Sequence, residues 1–146
     1  MTDRLDGIHA LVTGAASGIG AACARRMAHD GARLLLADVN GDGVKTFADE
    51  LDLAFQRWGR IDVLLNNAGI AEVRPLLELT EDEWDRMLAV NLRAVFFVLQ
   101  ATAKRMHHQS PISGSELRGK LIQTASIAAY RGGLANMPTT QPAKLE

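Results

Sequence analysis

A single cysteine, Cys23, stands among 146 residues, so no internal disulfide can form. Nor is there a run of Lys and Arg of the kind that neutralises a phosphate backbone. The formal net charge is −1, from 16 basic and 17 acidic residues, which argues against nucleic acid as a partner. No apolar stretch of membrane-spanning length stands out, residues 1–7 carry no signal-peptide pattern, and no internal repeat, low-complexity segment or domain linker interrupts the chain. What remains, 47% hydrophobic and 23% charged, fits one small globular domain over 1–146, with no membrane association and the cytoplasm as the expected compartment. Cys23 shares a helical stripe with Ile19 and Met27 and is expected in the core. His107 and His108 are adjacent, hence on different helix faces, and no Cys or carboxylate cluster joins them, so no metal site is expected.

The informative stretch is Thr13-Gly14-Ala15-Ala16-Ser17-Gly18-Ile19-Gly20, between a strand-like run from Ile8 to Val12 and a helical pattern from Ile19 to Ala28. In that setting it reads as a phosphate-binding turn. Its glycines allow a tight turn, close approach of a pyrophosphate and packing of helix on strand, while free N–H groups and the positive end of the helix dipole attract the anion. The spacing, Gly-x3-Gly-x-Gly, differs from the more familiar Gly-x-Gly-x-x-Gly. The next strand-like run, Arg33 to Ala37, ends in Asp38, 20 residues beyond Gly18, where a dinucleotide site needs a carboxylate for the ribose hydroxyls. Asp38 would repel a 2′-phosphate, and Ala15, Ala16, Val39 and Asn40 offer no cation to bind one. NAD is therefore expected over NADP.

Further strand-like runs, Ile61 to Leu65 and Lys120 to Ala125, are mostly apolar and unalternating, as in parallel strands buried on both faces. Helix-length segments separate them. The expected fold is α/β: a shortened Rossmann-like, doubly wound parallel sheet of about four strands in three α/β/α layers. Between Asp38 and Ile61, Val44, Phe47, Ala48, Leu51, Ala54, Phe55 and Trp58 form one apolar stripe, giving a single helix of ~27 Å. A right-handed crossover through it leads from the second strand to the far side of the first, on the face opposite the first helix. A capping box, Thr80 to Glu83, opens a long helix reaching about Met106. Residues 107–119 read as a mobile polar loop marked by Ser110-Pro111, Gly114 and Gly119.

With Asn66-Asn67-Ala68-Gly69, Asn91 in Val90-Asn91-Leu92 and Ser126 added in that order, the chain resembles the short-chain dehydrogenase/reductase family, over nearly all of Leu5 to Tyr130. The resemblance implies a nicotinamide cofactor held by Gly14, Ser17, Gly18, Ile19, Gly20, Asp38, Asn67, Ala68 and Gly69. It implies hydride exchange with a secondary alcohol or ketone, a polyol or similar small molecule. Ser126 would orient the substrate oxygen, Asn91 would help hold a proton-relay water, and Lys144 would stand near the ribose. It further implies homo-oligomers paired through the Thr80–Met106 helix, whose Val95, Phe96 and Leu99 belong to an apolar face.

Two departures bear on activity. The family normally places another strand and helix before the Ile61 strand, carrying an adenine pocket, and 39–60 has no room for them. The family also requires Tyr four residues before the catalytic Lys, and Thr140 stands there instead. An aliphatic hydroxyl is too weak an acid to replace a phenol of pKa near 10, and Pro142 breaks the helical turn that would align 140 with Lys144. Tyr130, four residues past Ser126 with no Lys partner, reads as a packing residue. The chain reaches Glu146 without the covering segment the family places over substrate, so a fragment or shortened product is expected. Three readings remain: an NAD-dependent oxidoreductase, a catalytically inert NAD-binding remnant, favoured for this chain, and an interaction module.

Overall fold

The computed structural model describes residues 4–38, 43–72 and 74–126, with side chains of the second helix from Leu51 onward. In chain order the elements are β1 (His9–Thr13), α1 (Gly18–His29), β2 (Arg33–Ala37), α2 (Gly43–Trp58) and β3 (Val63–Asn66). A 3-10 turn (Leu76–Glu78), α3 (Glu81–Leu88), a π-helical segment (Ala89–Ala94), α4 (Val95–His108) and β4 (Lys120–Gln123) follow. The strands form one parallel sheet in the order β2-β1-β3-β4.

The register explains the layers. Leu11 pairs with Leu35 and Leu64, and side chains at paired positions share a face. Leu11 and Leu64, both fully buried, pack with Leu51, Ala54, Val98 and Met106, so α2 and α4 cover that face. Val12 and Leu65 point the other way, against Ala24 of α1. The crossover through α2 therefore runs opposite α1, as the handedness of such connections requires. At 16 residues α2 is ~24 Å long, enough to carry the chain across β1.

Burial departs from expectation at the sheet edges. All four residues of β4 are exposed and Leu36 of β2 is half exposed, and among the described residues each of these strands has a neighbouring strand on one side only. Ile19 is also exposed, at 65%, and turns toward solvent rather than the core. Cys23 is half-buried and packs with Met27 beside the Val12 cluster.

The long helix is continuous from Glu81 to His108 but changes winding at 89–94. Thr80 accepts from Glu83 N while the Glu83 carboxylate accepts from Thr80 N, a complete capping box. By length and composition this helix could cross a membrane, which corrects the expectation that no apolar stretch reaches that length. Its buried Val98, Thr102 and Met106 face the sheet side, however, and its first turn carries Glu81, Asp82 and Glu83. The rings of His107 and His108 meet edge to face at 5.0 Å. Past His108, buried Gln109 brackets Ile61, accepting from its N–H at 3.2 Å and donating to its carbonyl at 2.7 Å. That clamp fixes where the 109–119 connection leaves α4. Below it Asp62, also buried, accepts from His9 N and from Arg60, which holds the lower ends of β1 and β3 together.

Candidate cofactor cleft

In parallel α/β sheets, ligands bind at the carboxyl ends of strands where the connections part to opposite faces. Here that point lies between β1 and β3, since α1 leaves to one face and the chain after β3 leads to α4 on the other. A cleft of about 620 Å³ opens there, lined by Gly14, Ser17, Gly18, Ile19, Asp38, Asn67, Ala68, Gly69, Ile70, Ala71, Val90, Thr124 and Ser126. Strand ends bring together residues separated by more than a hundred positions.

The turn is shaped by two glycines for different reasons. Gly18 has φ +53°, and a Cβ there would meet nothing within 4 Å, so its backbone faces open space at the start of α1. Gly20 is a close approach: a Cβ would lie 2.1 Å from the Gly14 carbonyl oxygen. It lines no part of the cleft, and its role is to let helix and strand meet. The first N–H groups of α1 have no intrahelical acceptor, and Ser17, Gly18 and Ile19 turn toward the cleft. This geometry fits a pyrophosphate. Asp38, at the far side of the turn, accepts from Ala16 N at 2.7 Å. Its carboxylate thus braces the turn as well as facing the cleft, a structural duty its position in sequence does not reveal.

The floor is built around Thr13, whose importance the sequence reading missed. Its Oγ1 accepts from Asn67 N and Ala68 N, each at 3.0 Å, and donates to Asn66 Oδ1 at 3.2 Å. Asn66 in turn donates to the Val95 carbonyl at 2.9 Å and to Gln123 Oε1 at 3.0 Å. Thr124 donates to Asn67 Oδ1 at 3.2 Å. One connected set of hydrogen bonds therefore ties the ends of β1, β3 and β4 to the helix at the point where π winding gives way to α. The signal was a hydroxyl at the last position of a buried strand, but its partners lie 53 to 55 residues away.

Asn91 sits in the π-helical segment. Its Oδ1 accepts from Ile70 N and its Nδ2 donates to the Ile70 carbonyl, both at 2.8 Å. The side chain clamps the loop after β3, and its amide is committed to that backbone. Isolated π turns in longer helices often mark functional positions; here the widened turn holds the residue that fixes the cleft wall. Ser126 closes the cleft beyond β4. Lys144, Thr140, Pro142 and Tyr130 lie outside the described residues, as do Val39 and Asn40.

A glycine turn on a helix N-terminus, a carboxylate after the second strand and a switch-point cleft define an α/β protein of the Rossmann-like architecture. The sequence model of the short chain dehydrogenases matches residues 8–54 and 50–139. The chain belongs to the short-chain dehydrogenase/reductase family. It is 37% identical to the sorbitol dehydrogenase of Cereibacter sphaeroides over 150 residues, with 88% of this chain and 56% of that one covered. To the D-threitol dehydrogenase of Mycolicibacterium smegmatis it is 41% identical over 149 residues, covering 86% and 56%. A short-chain type dehydrogenase/reductase structure from Mycobacterium marinum superposes with TM-score 0.77 at 28% identity, covering 93% of this chain and 62% of that one. The chain thus spans little more than half the length of these curated relatives. The two matched pieces meet inside α2, which puts the internal shortening at the crossover that leaves β2.

Proposed function

We propose that this chain binds a nicotinamide dinucleotide in the Gly14–Ser126 cleft, prefers NAD to NADP, and does not turn over alcohols or ketones by itself. The observation that carries the reading is the convergence of the α1 N-terminus, the open backbone at Gly18 and the Asp38 carboxylate on one cleft. The dinucleotide, when bound, supplies a hydride acceptor or donor. The first turn of α1 holds the pyrophosphate and Asp38 takes the ribose hydroxyls of the adenosine half. Asp38 repels a 2′-phosphate, and Asn67 to Gly69, fixed by Thr13, form the wall along the nicotinamide half. Ser126 orients a substrate oxygen, the role its family position implies.

The chemistry of the family is hydride transfer at a secondary alcohol, and the sorbitol and threitol dehydrogenases among the relatives of this chain favour polyols as the substrate class. Proton transfer is where this chain departs from it. Thr140 replaces the family's Tyr, and general acid–base catalysis is worth ~10² to 10⁴ in rate. A serine hydroxyl can orient an oxygen but cannot take up its proton at neutral pH. The compartment consistent with this reading is the cytoplasm.

Calorimetric titration with NADH and NADPH tests the binding reading. NADH is expected to bind weakly but more tightly, and equal or reversed affinity removes the Asp38 argument. Asp38→Ala narrows the gap and also weakens both cofactors, because Ala16 N loses its acceptor. Sorbitol and threitol with NAD are expected to give no NADH above background. Turnover that disappears in Ser126→Ala would place the proton-transfer group elsewhere, with Tyr130 the first residue to replace.

A second reading rests on the long helix. Trp84, Leu88, Leu92 and Phe96 expose one apolar row along it, Leu92 at 64%. Monomers rarely leave such a stripe open, and a second copy of the same helix, antiparallel about a twofold axis, is the occupant we propose.

A further inference from the structure

Among the described residues the sheet ends at β2, and the edge it presents has a defined chemistry. Along a strand, each residue's N–H and C=O point to the same side, alternating from one residue to the next. Arg33 N donates to the Ile8 carbonyl at 2.8 Å, and the Ala37 carbonyl accepts from Ala15 N at 3.3 Å. Arg33, Leu35 and Ala37 therefore spend their backbone groups on the β1 side. Leu34 and Leu36 turn theirs outward, and among the described residues no hydrogen bond reaches them from that side. Proteins usually blunt such an edge with Lys, Pro, a bulge or a covering segment. Arg33-Leu34-Leu35-Leu36-Ala37 has no Pro and no bulge, runs in unbroken register with β1, and leaves Leu36 50% exposed.

We infer that β2 is a docking edge for a second copy of this chain, the two β2 strands pairing antiparallel about a twofold axis at Leu35 to form one continuous sheet. The sequence of the edge is self-complementary in that arrangement. Leu34 of each copy opposes Leu36 of the other, and these are the residues whose backbone groups point outward. Each such pair exchanges two hydrogen bonds, four in all, which is the spacing an antiparallel ladder requires. Leu35 meets its own counterpart at the intervening non-bonded position, where Cα atoms approach to about 4.5 Å. The exposed Leu36 side chain is covered by Leu34 of the other copy on the same face. The internal shortening falls inside α2, the element that leaves this edge, so the open β2 is a property of this chain and is independent of what its cleft binds.

Two measurements on the full chain test the pairing. In a Cys23→Ala background, Leu35→Cys is expected to form a disulfide-linked dimer under mild oxidation. Leu53→Cys, at an exposed position on α2, serves as the control for random collision. In sedimentation equilibrium, Leu36→Lys is expected to raise the dissociation constant for self-association at least tenfold with an unchanged circular dichroism spectrum, since it places a charge on the paired edge. Association through the long helix would be indifferent to both changes. Cross-linking at 35 no faster than at 53, or an unchanged constant for Leu36→Lys, overturns the inference.

Discussion

Replacing Thr13 by Val keeps the shape of the side chain and removes one oxygen. That oxygen accepts from Asn67 N and Ala68 N and donates to Asn66 Oδ1, and Thr13 itself is buried. Three polar groups would lose a partner at once. A buried group left unsatisfied costs about 1–3 kcal/mol, and Asn67 N and Ala68 N are half-buried and recover part of this from water. The added methyl group returns little, because the site is already filled. A loss of about 2–4 kcal/mol is the result, a large share of the 5–15 kcal/mol typical of a domain. Urea unfolding of the native chain, Thr13→Val and Thr13→Ser would measure it. Serine keeps the hydroxyl and gives up one methyl group, so it is expected to lose no more than about half as much. NADH affinity would fall with Thr13→Val as well, because Asn67 to Gly69 are no longer held in place. A Thr13→Val variant within about 0.5 kcal/mol of the native chain would refute the network as a structural hub, since surface changes without a mechanism already span that range. So would a serine variant no better than valine.

The Glu83 carboxyl is held below its ordinary value of 4.5 by its hydrogen bonds from the Thr80 backbone and hydroxyl, helped by the Arg74 charge. A lowered carboxyl stabilises the fold above its unfolded value and loses that contribution as the pH falls through the lower, folded value. Helix content by circular dichroism is therefore expected to decline from about pH 4.5 downward, and Glu83→Gln should remove this component of the decline; an unaltered acid profile would show that the cap does not contribute. Along the apolar row of the long helix, Leu92→Lys is expected to lower the apparent mass in light scattering and the binding of an apolar dye. Unchanged values for both would assign the exposed row no part in association.

The order of elements was legible in the chain because it rests on local pattern. Unalternating apolar runs marked β1 and β3, the stripe ending at Trp58 marked α2, and Thr80 with Glu83 marked the start of the long helix. With the third strand taken to lie beyond β1, as the sheet order β2-β1-β3-β4 has it, the handedness of crossovers placed α2 on the face opposite α1. The turn and Asp38 were legible for the same reason: each uses a residue type whose conformation or charge suits a phosphate or a ribose. Tertiary structure alone decided the rest. Periodicity tells which side chains share a face but not what covers that face, so Ile19 emerged on the cleft and the strands β2 and β4 emerged half open. The hydroxyl of Thr13 and the amide of Asn91 were visible as letters, yet their work depends on partners 21 to 55 residues away. The π winding at 89–94 has no local signature at all, since it arises where the helix must present Asn91 to Ile70 and the Val95 carbonyl to Asn66 at once.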